Sequence, residues 1–580
     1  MVAETSTKSF ARKLSESVTR NSDTRLKLFR ANRKVLIESF ARTALTPLVA
    51  EAKTYEPLNL LGMLKVILFA AIYMDPKPQV TTKTLLLRPF AERLRLAIEF
   101  LLEEGDAPRA YRAALTDAIF GWGIVMTTLG PSESTGGLIE PTGYLDDPGR
   151  PRVKHIHEKN FIQDMSVDEE DAVAYRGHRF VVPFEWAMDV GLYGKGELER
   201  LHKIQVARNE KRGAIGPDDE SEVYERGEAF VEQIELATLW LPKHDVMVTL
   251  PGNMDDCRNK FLREDEAYGH ERGPYTILSF DEVPGSIKPI SPTEIVYTLS
   301  KLINGLTATV RDQAQQAKTF TVVRPGDTKL AGAVERVQNG GTIYGDPTNV
   351  KEVTIGGSDP RLKEDVAWYY DWFNRLSGNP NLLGGTDAAS NTLGQDQMLY
   401  QSAGISLGPK RSRYQAFIKG SLEKLAWYLW NDKGELGGMR MSLIQDLGAG
   451  VELPIEWTPD EREGDWQDYN FDISSYTAAG QSPEERYARR KELVQNVVIP
   501  LIPLAQQQGL QFNVAKCVEE LGRNLEIEEI GEWFTEAAPA PMEQAQVQQG
   551  DQEGDTTNIS MGRPSRKPFE PAQSQEAPAP

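Results

Sequence analysis

His155 and His157 form an H-x-H pair. Residues two apart in a strand point to the same side, so both imidazoles can face one ligand there, in a geometry that zinc accepts. Such a site needs a third protein ligand, and no other His or Cys is close in sequence, so a surface or interface pair is the simpler reading. Asp168, Glu169, Glu170 and Asp171 offer four carboxylates. Contiguous residues point in different directions, however, and such a run reads as a solvated turn. The segment 191–196 has the glycines of a phosphate-binding loop but lacks the hydroxyl residue after Lys195. Neither a G-x-S-x-G elbow nor an H-E-x-x-H helix occurs. Trp368, Tyr369, Tyr370, Trp372 and Phe373 are dense enough to stack bases, but on a helix they read first as core or subunit interface. The expectation is therefore no catalytic residues, no metal and no cofactor, in a protein that is not an enzyme.

Composition sets the frame for these residues. The chain has 580 residues, 40% hydrophobic and 26% charged, enough for a large core and roughly two to four domains. A formal net charge of -20 excludes coating nucleic acid through overall charge, while leaving room for local basic surfaces. The two cysteines, Cys257 and Cys517, give neither a disulfide framework nor a cysteine zinc site, and imply a reducing compartment. The opening MVAETSTKSF has no apolar signal-peptide core, so secretion is not expected. The longest apolar run, 58–74, is interrupted by Lys65 and falls short of the ~20 residues needed to span a bilayer. It reads as a buried helix, with no membrane partner.

Residues 1–50 carry ten Lys/Arg against four acids, and Leu26, Phe29, Leu36, Ile37 and Phe40 keep helical spacing. This is a basic amphipathic helix, either a solvated surface helix or one that docks on an acidic partner or nucleic acid. Helices follow over 58–74, 87–104 and 107–128, the last passing Gly121-Trp122-Gly123 into a β-rich run. Strands are expected at 153–157, 172–182 and 230–241, a helix at 183–193, and an exposed charged excursion at 208–228. The fold class is α+β, mainly helical.

The strongest local signal is at Ser291. Ser291 can cap a helix, Pro292 suits its first position and Glu294 completes a capping box. Ile295, Leu299, Leu302, Ile303, Leu306, Val310 and Ala314 then fall on one face, opposite Lys301, Asn304, Arg311, Asp312 and Gln315. Running to 318, this helix would be ~40 Å long. Short strands and a short helix punctuated by Gly, Pro and Asp follow to 357, a small α/β lobe between two helices. Asp359-Pro360 opens the aromatic helix, which stops at Gly378-Asn379-Pro380. A Gly/Asn-rich loop to 394 leads into a long helix with a kink expected at Gly408-Pro409. Strands at 451–457 and 471–476 and helices from 482 to 535 complete the folded part. The Pro-, Gln-, Ala- and Glu-rich segment 536–580 has too little apolar surface to order itself.

This order of helix, small lobe, helix, loop and kinked helix resembles the portal, or head-to-tail connector, proteins of tailed double-stranded-DNA bacteriophages. Further phrases are similar to that family: LLGMLKVILFAAIYMDPKPQV (60–80), DAIFGWGIVMTTLG (117–130), FIQDMSVDEEDAVAYRGHRF (161–180) and SPTEIVYTLSKLINGL (291–306). The resemblance covers roughly 25–535, and each phrase alone is unspecific.

The resemblance implies a portal-type ring, a dodecamer with wing, stem, clip and crown around a DNA channel. The wing would be 1–290, the first stem helix 291–318, the clip 319–358 and the second stem helix 359–377. The channel loop would be 378–394, the kinked wing helix and closing strands 395–479, the crown 480–535 and a disordered tail 536–580. Channel residues would be Lys301, Asn304, Arg311, Gln315, Asn381 and Asn391, and the clip would meet partners through Arg324, Lys329, Arg336 and Tyr344. Implied partners are further copies of the chain, double-stranded DNA, terminase, tail or adaptor proteins, and the major capsid or scaffolding protein. The implied location is one capsid vertex of the virion, after synthesis in the host cytoplasm. The remaining alternatives are a metal-dependent nuclease or other DNA-processing enzyme, and a capsid-assembly protein without a channel.

Overall fold

The computed structural model describes residues 2–45, 58–130, 150–189, 191–213, 232–258, 260–326, 328–336, 346, 348, 350–378, 393–431, 441–446, 452–457, 462–464 and 466–473. Two helices open the chain, α1 (Val2–Ser17) and α2 (Arg25–Leu45), joined by a π-helical segment over Val18–Thr24. Next come α3 (Leu60–Ile72), β1 (Pro78–Thr82), α4 (Arg88–Glu104), α5 (Ala107–Phe120), β2 (Gly123–Gly130), β3 (Arg150–Ile156), β4 (Phe161–Gln163) and β5 (Arg176–Pro183). Two helices, α6 (Phe184–Asp189) and α7 (Lys195–Gly213), precede the strands β6 (Gln233–Leu241), β7 (Val246–Pro251), β8 (Arg263–Glu266), β9 (Tyr275–Leu278), β10 (Asp281–Val283) and β11 (Ser286–Ile290). The remainder holds α8 (Pro292–Gln316), β12 (Lys318–Val323), α9 (Thr328–Arg336), β13 (Val350–Ile355), α10 (Pro360–Leu376), α11 (Leu393–Asn431), β14 (Met441–Asp446), β15 (Glu452–Trp457) and β16 (Tyr469–Ile473). The architecture is α+β, as expected from the sequence.

The main core is built by α3, α4, α5 and α11. Phe90, Leu94, Ala97, Ile98, Leu101 and Leu102 line the inner stripe of α4 at three- and four-residue steps. Phe90 meets Trp430, Trp457 and Tyr469 at ring separations of 5.6–5.9 Å. Here β1 pairs antiparallel with β16, Val80 opposite Phe471, so the ends of a very long loop of chain close on one another. The helix α11 continues through Pro409, the position of the expected kink, as one helix to Asn431.

The passage from α5 into β2 depends on one glycine. A Cβ at Gly123 would lie 2.1 Å from the Ala114 carbonyl oxygen, so only a residue without a side chain lets the strand fold back on the helix. Beyond it β2 is the centre of a three-stranded sheet, in the order β3-β2-β9. A five-stranded antiparallel sheet, β4-β5-β6-β7-β8, packs Leu14 and Val18 of the N-terminal helical segment against Leu239, Val248 and Leu250. Ala187, Leu198 and Leu201 pack with Ile234 and Leu236 in a separate cluster.

Several sequence expectations shift. Residues 172–175 precede the strand, which starts at Arg176, and 208–213 are the end of α7 rather than part of an excursion. The helix expected to 128 stops at Phe120. Composition does not announce the edge strand β8, whose sequence is REDE; its place comes from pairing with β7, Glu264 opposite Val248. The expected crown at 480–535, the tail at 536–580 and loop residues 379–392 lie outside the described residues.

Candidate functional site

The feature that stands out is the hairpin of α8 and α10 with a small lobe between them. Ser291 Oγ accepts the Glu294 N–H at 3.1 Å, and Pro292 occupies the first turn, as the capping pattern implies. The helix has 25 residues, about 38 Å at the usual rise. At the hairpin's other arm Asp359 Oδ1 accepts the Arg361 N–H at 2.9 Å. The lobe consists of β12 and β13, paired antiparallel from Lys318 opposite Ile355 to Val323 opposite Val350, with α9 between them. Its base is fixed to α8 where the Asp359 N–H donates to Gln313 Oε1 at 3.1 Å.

Burial on α8 does not follow the expected apolar stripe. The rest of the chain covers Pro292, Thr293, Val296, Ser300, Ile303 and Asn304, whereas Ile295 is 46% and Leu302 42% exposed. On the covered face Thr293 Oγ1 donates to the Ile119 carbonyl at 2.9 Å, a partner distant in sequence. The outward stripe is Ile295, Thr298, Leu302, Gly305 and Thr309, at alternating steps of three and four, the spacing with which one helix seats against another. On α10 only Phe373 is fully covered, while Trp368, Trp372 and Leu376 stay 56%, 43% and 54% exposed, four residues apart along one stripe. Trp368 and Trp372 meet edge to face at 5.9 Å, and the Arg375 guanidinium lies over the Trp372 ring. Both helices thus leave large apolar side chains uncovered along one stripe, Ile295 and Leu302 on α8 and Trp368, Trp372 and Leu376 on α10.

The expected channel residues divide. Lys301 is exposed on α8, its ammonium 5.4 Å from the Tyr297 ring centroid, and Gln315 is exposed at the C-terminal end of the same helix. Arg311 is half-buried and bonds Asp312 Oδ1 through Nη2 at 2.7 Å and Nε at 2.9 Å, so its charge is locally balanced. Asn304 is a correction: it is 4% exposed, and its amide is used up on Leu58, which removes it from any surface facing DNA. Periodicity places it among polar neighbours, but its partner is a segment 246 residues away in sequence. In the lobe, Arg324, Lys329 and Arg336 are exposed. Tyr344, Asn381 and Asn391 lie outside the described residues.

The basic helix of the N-terminus spends much of its charge inward. Arg25 donates to the Met165 carbonyl at 2.7 Å, Arg30 to the Phe161 carbonyl at 2.8 Å, and Arg33 to Asp117 at 2.8 Å. Arg25 and Arg30 fasten α2 to β4 and the residues that follow it, and Arg33 fastens it to α5. Glu158 is buried between Arg30 and Arg33, and burial raises its pKa against the lowering effect of both cations. His155 and His157 do acquire a third neighbour, Asp117 of α5, which adjacent numbering could not show. The acidic run 168–171 is an exposed turn, as its contiguity implies.

Lys424 is a buried cation that sequence reasoning missed. It donates to the Tyr275 carbonyl at 2.5 Å and to Thr276 Oγ1 at 2.8 Å, and burial, helped by Arg176 and Arg272, pushes its pKa down to about 7. Among the described residues no helix is long and apolar enough to cross a membrane. Compared with known proteins, the sequence matches no family model and no curated relative.

Proposed function

We propose that the chain is a portal subunit of a tailed double-stranded-DNA bacteriophage, a ring former at a capsid vertex through which DNA enters and leaves. The observation that carries this reading is the α8–α10 hairpin with the β12–α9–β13 lobe at its end and uncovered apolar stripes on both helices. Side chains such as Trp368 and Trp372 are costly to leave in water, and contiguous exposed apolar surface marks an interface. Closed rings answer that need, because each copy offers one hairpin flank to each neighbour. The net charge of -20 per copy fits a conduit, where weak phosphate contact favours passage and tight contact would stall it. In this reading α8 and α10 are the stem, the lobe is the clip for terminase and tail or adaptor proteins, and Lys301 and Gln315 face the lumen.

Negative-stain microscopy of the purified protein tests the proposal. Rings with a central channel are expected, and a monomer under all conditions of salt and concentration would sink it. The alternative of a metal-dependent nuclease draws on one observation, the convergence of Asp117, His155 and His157. It requires divalent-cation-dependent DNA cleavage that Asp117→Asn abolishes.

A further inference from the structure

We propose that Asp117, His155 and His157 form a binding site for one divalent transition-metal ion of the zinc class. The proposal is independent of the portal reading and rests on side chains outside the hairpin.

Two backbone elements bring the three ligands together. The strand β3 carries His155, and His157 follows immediately after its end, so the two rings lie on one side, with centroids 4.6 Å apart and planes at 80°. Asp117 comes from α5, which packs across that sheet. His155 Nε2 is 2.9 Å and His157 Nδ1 3.8 Å from the same atom, Asp117 Oδ2, and the three ligand atoms all lie within 4.8 Å of one another. Zinc bound by nitrogen and carboxylate oxygen at about 2.0–2.2 Å needs ligand atoms about 3.4 Å apart in a tetrahedron. His155 and Asp117 are already somewhat closer than that, and His157, with a 65% exposed side chain, has room to swing inward.

The surroundings suit a carboxylate ligand. Arg33 Nη2 holds the other oxygen, Asp117 Oδ1, at 2.8 Å, which orients the carboxylate and leaves Oδ2 directed at the histidines. Arg33 is itself 3.5 Å from the buried Glu158, so the cation behind the site is balanced. Arg33 at 2.8 Å and His155 at 2.9 Å bond the two oxygens of the Asp117 carboxylate, one each, which fixes its position. On the outer side a cleft of about 580 Å³ is lined by His155, His157, Asn160 and Arg179. Three protein ligands with an open side supply the coordination of a zinc ion that keeps a water or an exogenous ligand in its fourth position. A metal here would replace the proton shared between His155 and Asp117, and would lock α5 to β3 and, through Arg33, to α2.

The test uses the full-length protein, freed of metal and titrated with Co²⁺ and Zn²⁺. Wild type is expected to take up one ion per chain, to give the visible absorption of tetrahedral Co²⁺, and to melt at higher temperature with Zn²⁺ present. His157→Ala removes an exposed ligand without touching the core and should weaken binding at least ~10-fold and abolish the melting shift. His155→Gln should do the same. Wild type that binds no ion at about 100-fold molar excess would overturn the proposal, as would equal binding by wild type and both variants, which would place the ion elsewhere.

Discussion

Asn304 closes both backbone hydrogen bonds of Leu58: its Oδ1 accepts the Leu58 N–H at 3.0 Å and its Nδ2 donates to the Leu58 carbonyl at 3.0 Å. The pair joins the middle of α8 to the residue before the N-cap of α3, Asn59, whose Oδ1 accepts the Gly62 N–H. Replacing Asn304 by Ala leaves the part-buried N–H and carbonyl of Leu58 without their protein partner, which costs up to about 1–3 kcal/mol. The expected result is a clear fall in melting temperature for Asn304→Ala, with Lys301→Gln nearly unchanged because Lys301 is exposed. Equal melting temperatures for Asn304→Ala and wild type would show that water replaces the amide at no cost.

Much of the α8 hairpin was legible because its signals are local. A Ser-Pro-x-Glu start declares itself within four residues, and Asp359-Pro360 does the same for α10. The direction of the buried face was not legible. Ile295 and Leu302 are as apolar as Val296 and Ile303, and only the position of α3 and α5 decides which pair is covered. Thr293 and Asn304 read as polar surface until their partners, distant in sequence, are known. The same holds for Asp117, 38 residues from His155, which turns a pair of histidines into a three-ligand cluster. Lys424 belongs here too, since a basic residue on a long helix reads as solvated until the strand β9 is laid over it.

The ring proposal predicts that a charged residue on an uncovered stripe blocks assembly while leaving the chain folded. Leu302→Glu and Trp372→Glu each put a carboxylate where a neighbouring copy would exclude water, and desolvating an unpaired charge outweighs the apolar gain at that point. Circular dichroism of both variants should match wild type, since neither side chain is part of the protomer's core. Analytical ultracentrifugation should show smaller species in place of rings. Full rings in both variants would remove the two stripes from the interface.

Neutralising the two bases of α8 should have unequal effects on DNA. Lys301 is exposed, whereas Arg311 is bonded by Asp312 through two of its nitrogens. The portal proposal predicts that, in phage carrying the variants, Lys301→Gln alters packaged length or DNA retention with rings intact, and that Arg311→Gln does so less. Removing a cation that meets phosphate also lowers the salt dependence of retention, because fewer counterions are released from the DNA. Unchanged packaging and retention in the double variant would take both residues off the lumen.

The buried Lys424 makes stability depend on pH in a defined window. Its folded pKa of about 7 lies below the ordinary 10.5, because burial penalises the ammonium. Between those values the unfolded chain holds a proton that the folded chain lacks, so unfolding takes up a proton and becomes less favourable as pH rises. Stability from this group is therefore lowest and flat below pH 7 and increases from pH 7 towards 10.5, by at most about 1.4 kcal/mol per pH unit. Lys424→Met keeps the length of the side chain and removes the titration, at the cost of the hydrogen bonds to Tyr275 and Thr276. Melting temperatures measured at pH 7, 8 and 9 should rise more steeply for wild type than for the variant. Parallel slopes would mean that Lys424 stays charged across the window, held by the Tyr275 carbonyl strongly enough to cancel its burial.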